Sequence, residues 1–349
     1  MISSKTYIAT PPGATIKEQL EDRNMTQKEF AKRMDMSEKH ISRLINGEVS
    51  LTPELSVRLE MVLGIPAGFW NNLESIYREK LAKVKAENEM DDDLELLKKI
   101  PYKHMADNSW VENTNNRTER VVNTRKFFEV SNLALINKPM IRKIACRRLG
   151  DGETSDYALL AWAQEAKLQA RNIDTAPVNI QKLVNNLPEI RRMTRKDPSE
   201  FNDNLHEILA ECGIALVLLP HIDGSYLHGA TFYDGKKIVM GLTTRGRDAD
   251  KFWFSLFHEL GHIILGHIGN DEITDDDEKA ANEFAANKLI PLDEFEKFTS
   301  EKDFSIESIT KFSDRIEIDQ GIVIGRLQKE YYIPFNQFGS YKTKYNIQV

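Results

Sequence analysis

The sequence predicts a multidomain protein that is all-α at its front and α+β at its back, and three observations predict it. At 349 residues the chain exceeds one core of usual size, so two or three domains are expected. Up to about residue 200 apolar residues recur at helical spacing, with breaks at Pro101, Pro139, Gly150 and Pro188. From about Leu205 the runs IALVLLP (214–220) and KIVMGL (237–242) are short, continuous and bounded by Gly, Pro and Asp, as buried strands are, before helical patterns return. The reading divides the chain into three parts. Residues 1–85 form short amphipathic helices with clear stops, 86–200 a charged helical connector, and 201–349 an α+β domain with a small sheet. In that sheet YLHGATFYDG (226–235) supplies a third strand and a turn.

Composition narrows the class. With 41% hydrophobic and 29% charged residues the chain reads as an ordinary globular protein. Its two cysteines, Cys146 and Cys212, are far apart, which argues against a disulfide framework or a cysteine zinc site and fits a reducing cytoplasm. The start, MISSKTYIATPPGATIKEQL, lacks the apolar core of a signal peptide, and no segment approaches the roughly 20 apolar residues that span a bilayer. A cytoplasmic protein with no membrane partner is therefore expected. The net charge of −7 argues against a chain that coats nucleic acid throughout, but leaves room for one local DNA-binding module.

Such a module is written in TQKEFAKRMDMSEKHISRLINGE (26–48). Thr26 and Glu29 make a capping box, and Phe30, Ala31 and Met34 give a first helix one apolar face. Asp35-Met36 is a tight connection, and Ser37 caps a second helix with Ile41, Leu44 and Ile45 inward. Asn46-Gly47 stops that helix, and Thr52-Pro53 starts another. Two helices joined this tightly, with small Ala31 where they cross, are a helix-turn-helix. The pattern resembles the phage-repressor-like (Cro/C1, or XRE) family. With PPGATIKEQLEDRNMTQKEFA, ISRLINGE and LGIPAGFWNNLESIY, it looks specifically like HigA-type antitoxins of toxin–antitoxin operons. The resemblance covers roughly the first 80 residues. It implies that Gln27 contacts a phosphate and that Ser37, Glu38, Lys39, Ser42 and Arg43 face the major groove, where Arg and Lys suit guanine and Glu can accept from cytosine. One copy meets too few phosphates for tight binding, so a homodimer reading half-sites about 34 Å apart on a palindromic double-stranded operator is expected.

The second chemical signal is FWFSLFHELGHIILGH (252–267). On a helix, residues four apart share a face, so His258 and His262 can present imidazoles to one ion. Glu259 stands beside them, placed to take a proton from a metal-activated water. Phe254, Leu256, Phe257, Leu260, Ile263 and Ile264 bury the helix and exclude water, which strengthens the field of an ion there. Two histidines do not hold zinc firmly, so a third ligand is needed. In DDDEKAANEFAANKLIP (275–291), at about 100° per residue, Glu278 lies on the stripe with Ala281, Asn282, Ala285 and Leu289, whereas Glu283 falls among Lys279 and Asn287 on the polar side. Glu278 is therefore the expected ligand, with Asn282 one turn later steadying a ligand histidine. His267, next to Gly266 and Gly269, reads as a residue at the helix C-terminus rather than a ligand.

These features resemble the ImmA/IrrE metallopeptidases, whose pattern is HExxH followed by E-x-x-A-N-x-F-A and a hydrophobic pair with proline; here HELGH precedes EKAANEFAANKLIP. The resemblance extends through GIALVLLP, HGATF, RGRDADKFWFSLF and GIVIGRLQKE, roughly residues 205–330. It implies a zincin-like (gluzincin) fold, Zn2+ held by His258, His262 and Glu278, Glu259 as general base, and hydrolysis of a protein such as a repressor. Residues 86–200 look more loosely like the connector of chains that carry both modules. A group to stabilise the oxyanion is also required, and Tyr226, His228 and His221 remain open. Two functional readings follow: a regulator whose peptidase domain cleaves a protein partner, or an antitoxin or autorepressor, with a toxin as partner, whose zinc domain senses or binds without turnover. The intact Glu259 favours the first.

Overall fold

The computed structural model describes residues 2–4, 7–88, 90–137, 153–222, 229–243, 248–269 and 273–345. The chain forms two compact units, Met1–Glu95 and Leu96–Val349. Among the described residues no helix is long and apolar enough to cross a membrane.

Among the described residues the first unit holds α1 (Pro12–Asp22), α2 (Gln27–Arg33), α3 (Glu38–Ile45), α4 (Pro53–Leu63) and α5 (Ala67–Asn88), and α6 (Met90–Leu97) runs across its end. A two-stranded ribbon, β1 (Ile2–Ser3) against β2 (Ile8–Ala9), precedes them. The capping residues read from the sequence act as caps. Thr26, Ser37 and Thr52 accept from the backbone N–H of Glu29, His40 and Leu55, each satisfying a donor that the first helical turn leaves unpaired. The box at Thr26 is only half built, because the Glu29 carboxylate reaches forward to Arg33 at 2.6 Å. Asp35 adopts φ +53°, which turns the chain sharply between α2 and α3. Ile16, Phe30, Ala31, Met34, Ile41, Leu44, Leu59 and Trp70 close the core.

The second unit is α+β. Among the described residues its helices are α7 (Tyr102–Asp107), α8 (Arg117–Phe128), α9 (Glu153–Ala170), α10 (Ile180–Arg192) and α11 (Pro198–Glu211) before the sheet, and α12 (Ala249–Ile264), α13 (Asp275–Leu289), α14 (Leu292–Ser300), α15 (Ile306–Arg315) and α16 (Gln320–Lys329) after it. Of the expected breaks, Pro188 lies inside α10 instead of ending it, because Leu183, Leu187 and Ile190 on one face of that helix are all buried and tertiary packing outweighs the lost hydrogen bond. Pro101 precedes α7, whereas Pro139 and Gly150 lie outside the described residues.

Three strands, β3 (Ile214–Leu219), β4 (Gly229–Asp234) and β5 (Lys237–Thr243), lie in the order β3-β5-β4. β5 is parallel to β3 and antiparallel to β4. Ile214 and Leu216 of β3 with Ile238, Met240 and Leu242 of β5 join the cluster that holds Trp253, Leu256, Phe257 and Leu260 of α12. Ala215, Val217 and Leu219 with Phe232 and Val239 join the opposite cluster, which holds Leu159 to Ala163 of α9. A sheet covered on both faces has no solvent side, which is why IALVLL reads as a continuous apolar run rather than an alternation. α9, from the segment read as connector, therefore supplies the layer behind the sheet, with Trp162 Nε1 donating to the Pro220 carbonyl at 3.1 Å.

The chain's C-terminal segment fixes the start of α12. Asp248 bridges to Lys344, Ala249 N–H donates to the Thr343 carbonyl, the Lys342 ammonium contacts buried Asp250 at 2.6 Å, and Trp253 Nε1 donates to the Tyr345 hydroxyl at 2.7 Å. The far end of α12 stops at Gly266, whose φ of +79° favours a residue without a side chain.

Candidate metal centre and nucleic-acid interface

His258, Glu259 and His262 sit in the last two turns of α12 and are 5%, 5% and 3% exposed. Ionisable groups so deeply buried need partners, and each has them. Gly261 lets α13 approach closely, since a Cβ there would stand 3.3 Å from Ala281 Cα. That approach brings Glu278, one turn earlier on α13, over both imidazoles: its Oε2 is 3.4 Å from His258 Nε2 and its Oε1 3.5 Å from His262 Nε2. The two Nε2 atoms are 3.0 Å apart. His258 Nδ1 meets Asn282 Oδ1 at 3.0 Å, so that nitrogen donates and the Nε2 of neutral His258 carries the lone pair.

The His258 Nε2 lone pair, an imidazole nitrogen of His262 and the two carboxylate oxygens of Glu278 converge on one largely buried spot, which gathers electron-pair donors where a cation would be stabilised. One ligand atom from each of His258, His262 and Glu278 lies within 4.8 Å of the other two. Two imidazoles and one carboxylate are the donor types of an open zinc site, so the residues fit that ion. Glu283, the rejected alternative, is exposed on the outer face of α13.

Glu259, one position round the helix from His258, points toward the sheet. Its Oε2 accepts from the Thr231 hydroxyl at 2.7 Å, a buried contact between α12 and β4. The register Thr231↔Met240 and Gly229↔Leu242 places Thr231 and Gly229 on the α12 side of the sheet. Gly229 leaves the space that the carboxylate uses, since a Cβ there would come within 2.9 Å of Glu259 Oε1. No local sequence pattern announces this pairing, because the two residues are 28 apart and meet only through the sheet register.

His267 departs from its reading as a helix-terminal residue. α12 ends before it, and the turn at Gly266 folds a short 3₁₀ segment (His267–Gly269) back, so that His267 Nδ1 lies 3.0 Å from His262 Nδ1. Its Nε2 faces Asp277 Oδ1 at 3.4 Å. Burial lowers the His267 pKa, opposed by the Asp277 charge. Asp277 itself is held below the usual carboxylate range by the Thr274 N–H and hydroxyl it accepts in a reciprocal capping box. Of the oxyanion candidates, Tyr226 and His228 lie outside the described residues, and His221 stands half-buried just past β3, the strand across β5 from β4.

In the first unit, Gln27 at the start of α2, Ser37 at the cap of α3, and Glu38, Lys39, Ser42 and Arg43 on α3 are all exposed, while Ile41, Leu44 and Ile45 face inward. The Ser37 hydroxyl is occupied as the α3 cap. Arg43 lies 3.5 Å from Glu48, a surface pair that a phosphate or base could displace at little cost.

Fold and geometry thus define a helix-turn-helix protein joined to an α+β domain with a metallopeptidase-like cluster. Residues 16–70 match the helix-turn-helix family model, and residues 222–338 match that of the IrrE N-terminal-like domain of the M78 peptidases. An uncharacterized HTH-type transcriptional regulator of Escherichia coli (strain K12), YddM, is 36% identical over 66 residues, 19% of this chain and 70% of that protein. The chain belongs to the helix-turn-helix transcriptional regulators and carries an M78 peptidase-like domain as its second part.

Proposed function

We propose that the protein is an antitoxin-like transcriptional regulator that binds a palindromic operator as a homodimer in the cytoplasm, and whose second unit is a zinc-dependent endopeptidase acting on a protein partner such as a repressor. The observation that carries the enzymatic half is Glu259: a buried carboxylate held by Thr231 directly beside the His258–His262–Glu278 cluster. A site serving only to brace the fold needs the three ligands and has no use for a fourth, separately positioned acid.

His258, His262 and Glu278 would hold the ion, and Asn282 would keep His258 in the tautomer that presents Nε2. Bound there, zinc would supply Lewis-acid polarisation of the scissile carbonyl and activation of water near neutral pH. The chain's own residues do the rest. With Oε2 engaged by Thr231, Glu259 takes the proton of the attacking water on its carboxylate as the new C–O bond forms. It then returns that proton to the amide nitrogen as the C–N bond breaks, leaving one carboxylate and one amine product. The apolar wall of Phe257, Leu260 and Ile263 excludes water from the far side of the ligands.

The reading is tested by incubating the zinc-loaded full chain with proteins encoded beside it and mapping new termini by mass spectrometry, with Glu259→Gln as control. Cleavage that disappears in a variant still holding one zinc is expected. Full cleavage by Glu259→Gln overturns the assigned role, and a wild-type chain that holds zinc without cutting favours the sensing alternative.

A further inference from the structure

The two imidazoles of the cluster are braced alike at the nitrogen that faces away from it. His258 Nδ1 meets Asn282 Oδ1 at 3.0 Å, and His262 Nδ1 meets His267 Nδ1 at the same distance. At the Nδ1–Nδ1 contact between His262 and His267 one nitrogen donates and the other accepts, whereas at the equally close Nε2–Nε2 pair an ion would take the place of the shared proton. For His262 to direct an Nε2 lone pair at the cluster, its proton must sit on Nδ1, which makes His267 Nδ1 the acceptor and leaves the His267 proton on Nε2. There it faces Asp277 Oδ1 at 3.4 Å. Asp277 is in turn pinned, because its Oδ2 accepts from the Thr274 N–H at 2.9 Å and hydroxyl at 2.8 Å.

We propose that His267 is a positioning residue for His262: an Asp277–His267–His262 relay, anchored in the N-terminal cap of α13, fixes the tautomer and ring orientation in which His262 offers Nε2 to a divalent cation. The inference rests on the metal centre proposed above and deepens it. Helix α13 then organises the whole cluster, supplying Glu278 directly, Asn282 to one imidazole and Asp277 through His267 to the other. Gly266 is the device that makes this possible, since only the reversal after α12 returns His267 to the helix it has just left.

The test is zinc affinity of the full-length chain, measured by competition with a chromophoric chelator, for the wild type, His267→Ala, His267→Asn and Asp277→Asn. Removing an outer partner of a ligand histidine costs roughly 10–100-fold in metal affinity. His267→Ala is expected to show that loss. His267→Asn, which sets an amide oxygen near the place of Nδ1, is expected to recover most of it, and Asp277→Asn to fall between. Where His267→Ala does not fold, by circular dichroism, the other two variants carry the comparison. Wild-type affinity in His267→Ala, or no recovery in a folded His267→Asn, overturns the relay alone. A wild-type chain that takes up no zinc overturns the metal centre and the relay with it.

Discussion

The hydroxyl of Thr231 on β4 donates to the Glu259 carboxylate on α12 across 2.7 Å, with both groups buried. A hydrogen bond to a charged group in such surroundings contributes about 1.5–3 kcal/mol, and it sets which way the carboxylate points. Thr231→Val preserves shape and removes the donor. Expected is a fall in kcat of roughly tenfold or more at unchanged zinc content, since about 1.4 kcal/mol corresponds to tenfold in rate. Steady-state kinetics with kcat at the wild-type level would remove Thr231 from the site.

Gly229 makes a steric prediction. Alanine at this position would drive a methyl group to within 2.9 Å of the Glu259 side chain, inside a buried contact. Overpacking of this kind costs about 1–3 kcal/mol. Gly229→Ala should lower Tm and cleavage together while the zinc content measured for the variant matches that of the wild type. An equally stable and active variant would mean that Glu259 is free to move.

Chelation should act on the second unit alone, since the cluster lies within Leu96–Val349. An ion present at a thousand times its Kd adds about 4 kcal/mol to the state that binds it. Differential scanning calorimetry is expected to show one transition lowered by chelator and restored by zinc, with the transition of the first unit unmoved. Insensitivity of both transitions would argue that no ion supports the fold.

On the DNA side, Lys39→Ala with Arg43→Ala removes two exposed cations from α3. Loss of a base contact costs about 1–3 kcal/mol of specific binding, and each lost phosphate contact lowers the salt slope by about one. Gel-shift or fluorescence titration at several salt concentrations reads both. Operator affinity unchanged in magnitude and salt slope would show that another surface reads the DNA.

Alkaline pH probes the C-terminal anchor. Burial raises the Tyr345 phenol above the ordinary tyrosine range, with the Trp253 hydrogen bond opposing. Stability from the neutral phenol is complete below about pH 10, where both states are protonated, and is lost as pH rises beyond, because the unfolded chain ionises first. Tyr345→Phe should cost about 1 kcal/mol at neutral pH through the lost Trp253 bond. Its denaturant midpoint should then fall less steeply than that of the wild type above pH 10; equal slopes would mean that the phenol is not held in the folded core.

What the sequence determined by itself is whatever depends on short-range order. Helix caps at Thr26, Ser37 and Thr52, the inward face of α3 and the three strands all follow from spacing within one or two turns, because capping and periodicity are local physics. Contacts between distant segments were decided only by the tertiary structure. The sheet register selected Thr231 for Glu259, packing kept α10 continuous through Pro188, and α9 was enlisted as the back layer of the sheet. The turn at Gly266 carried His267 from the end of a helix to the outer side of His262, a placement that no period predicts because it is set by how α13 and the sheet close around α12.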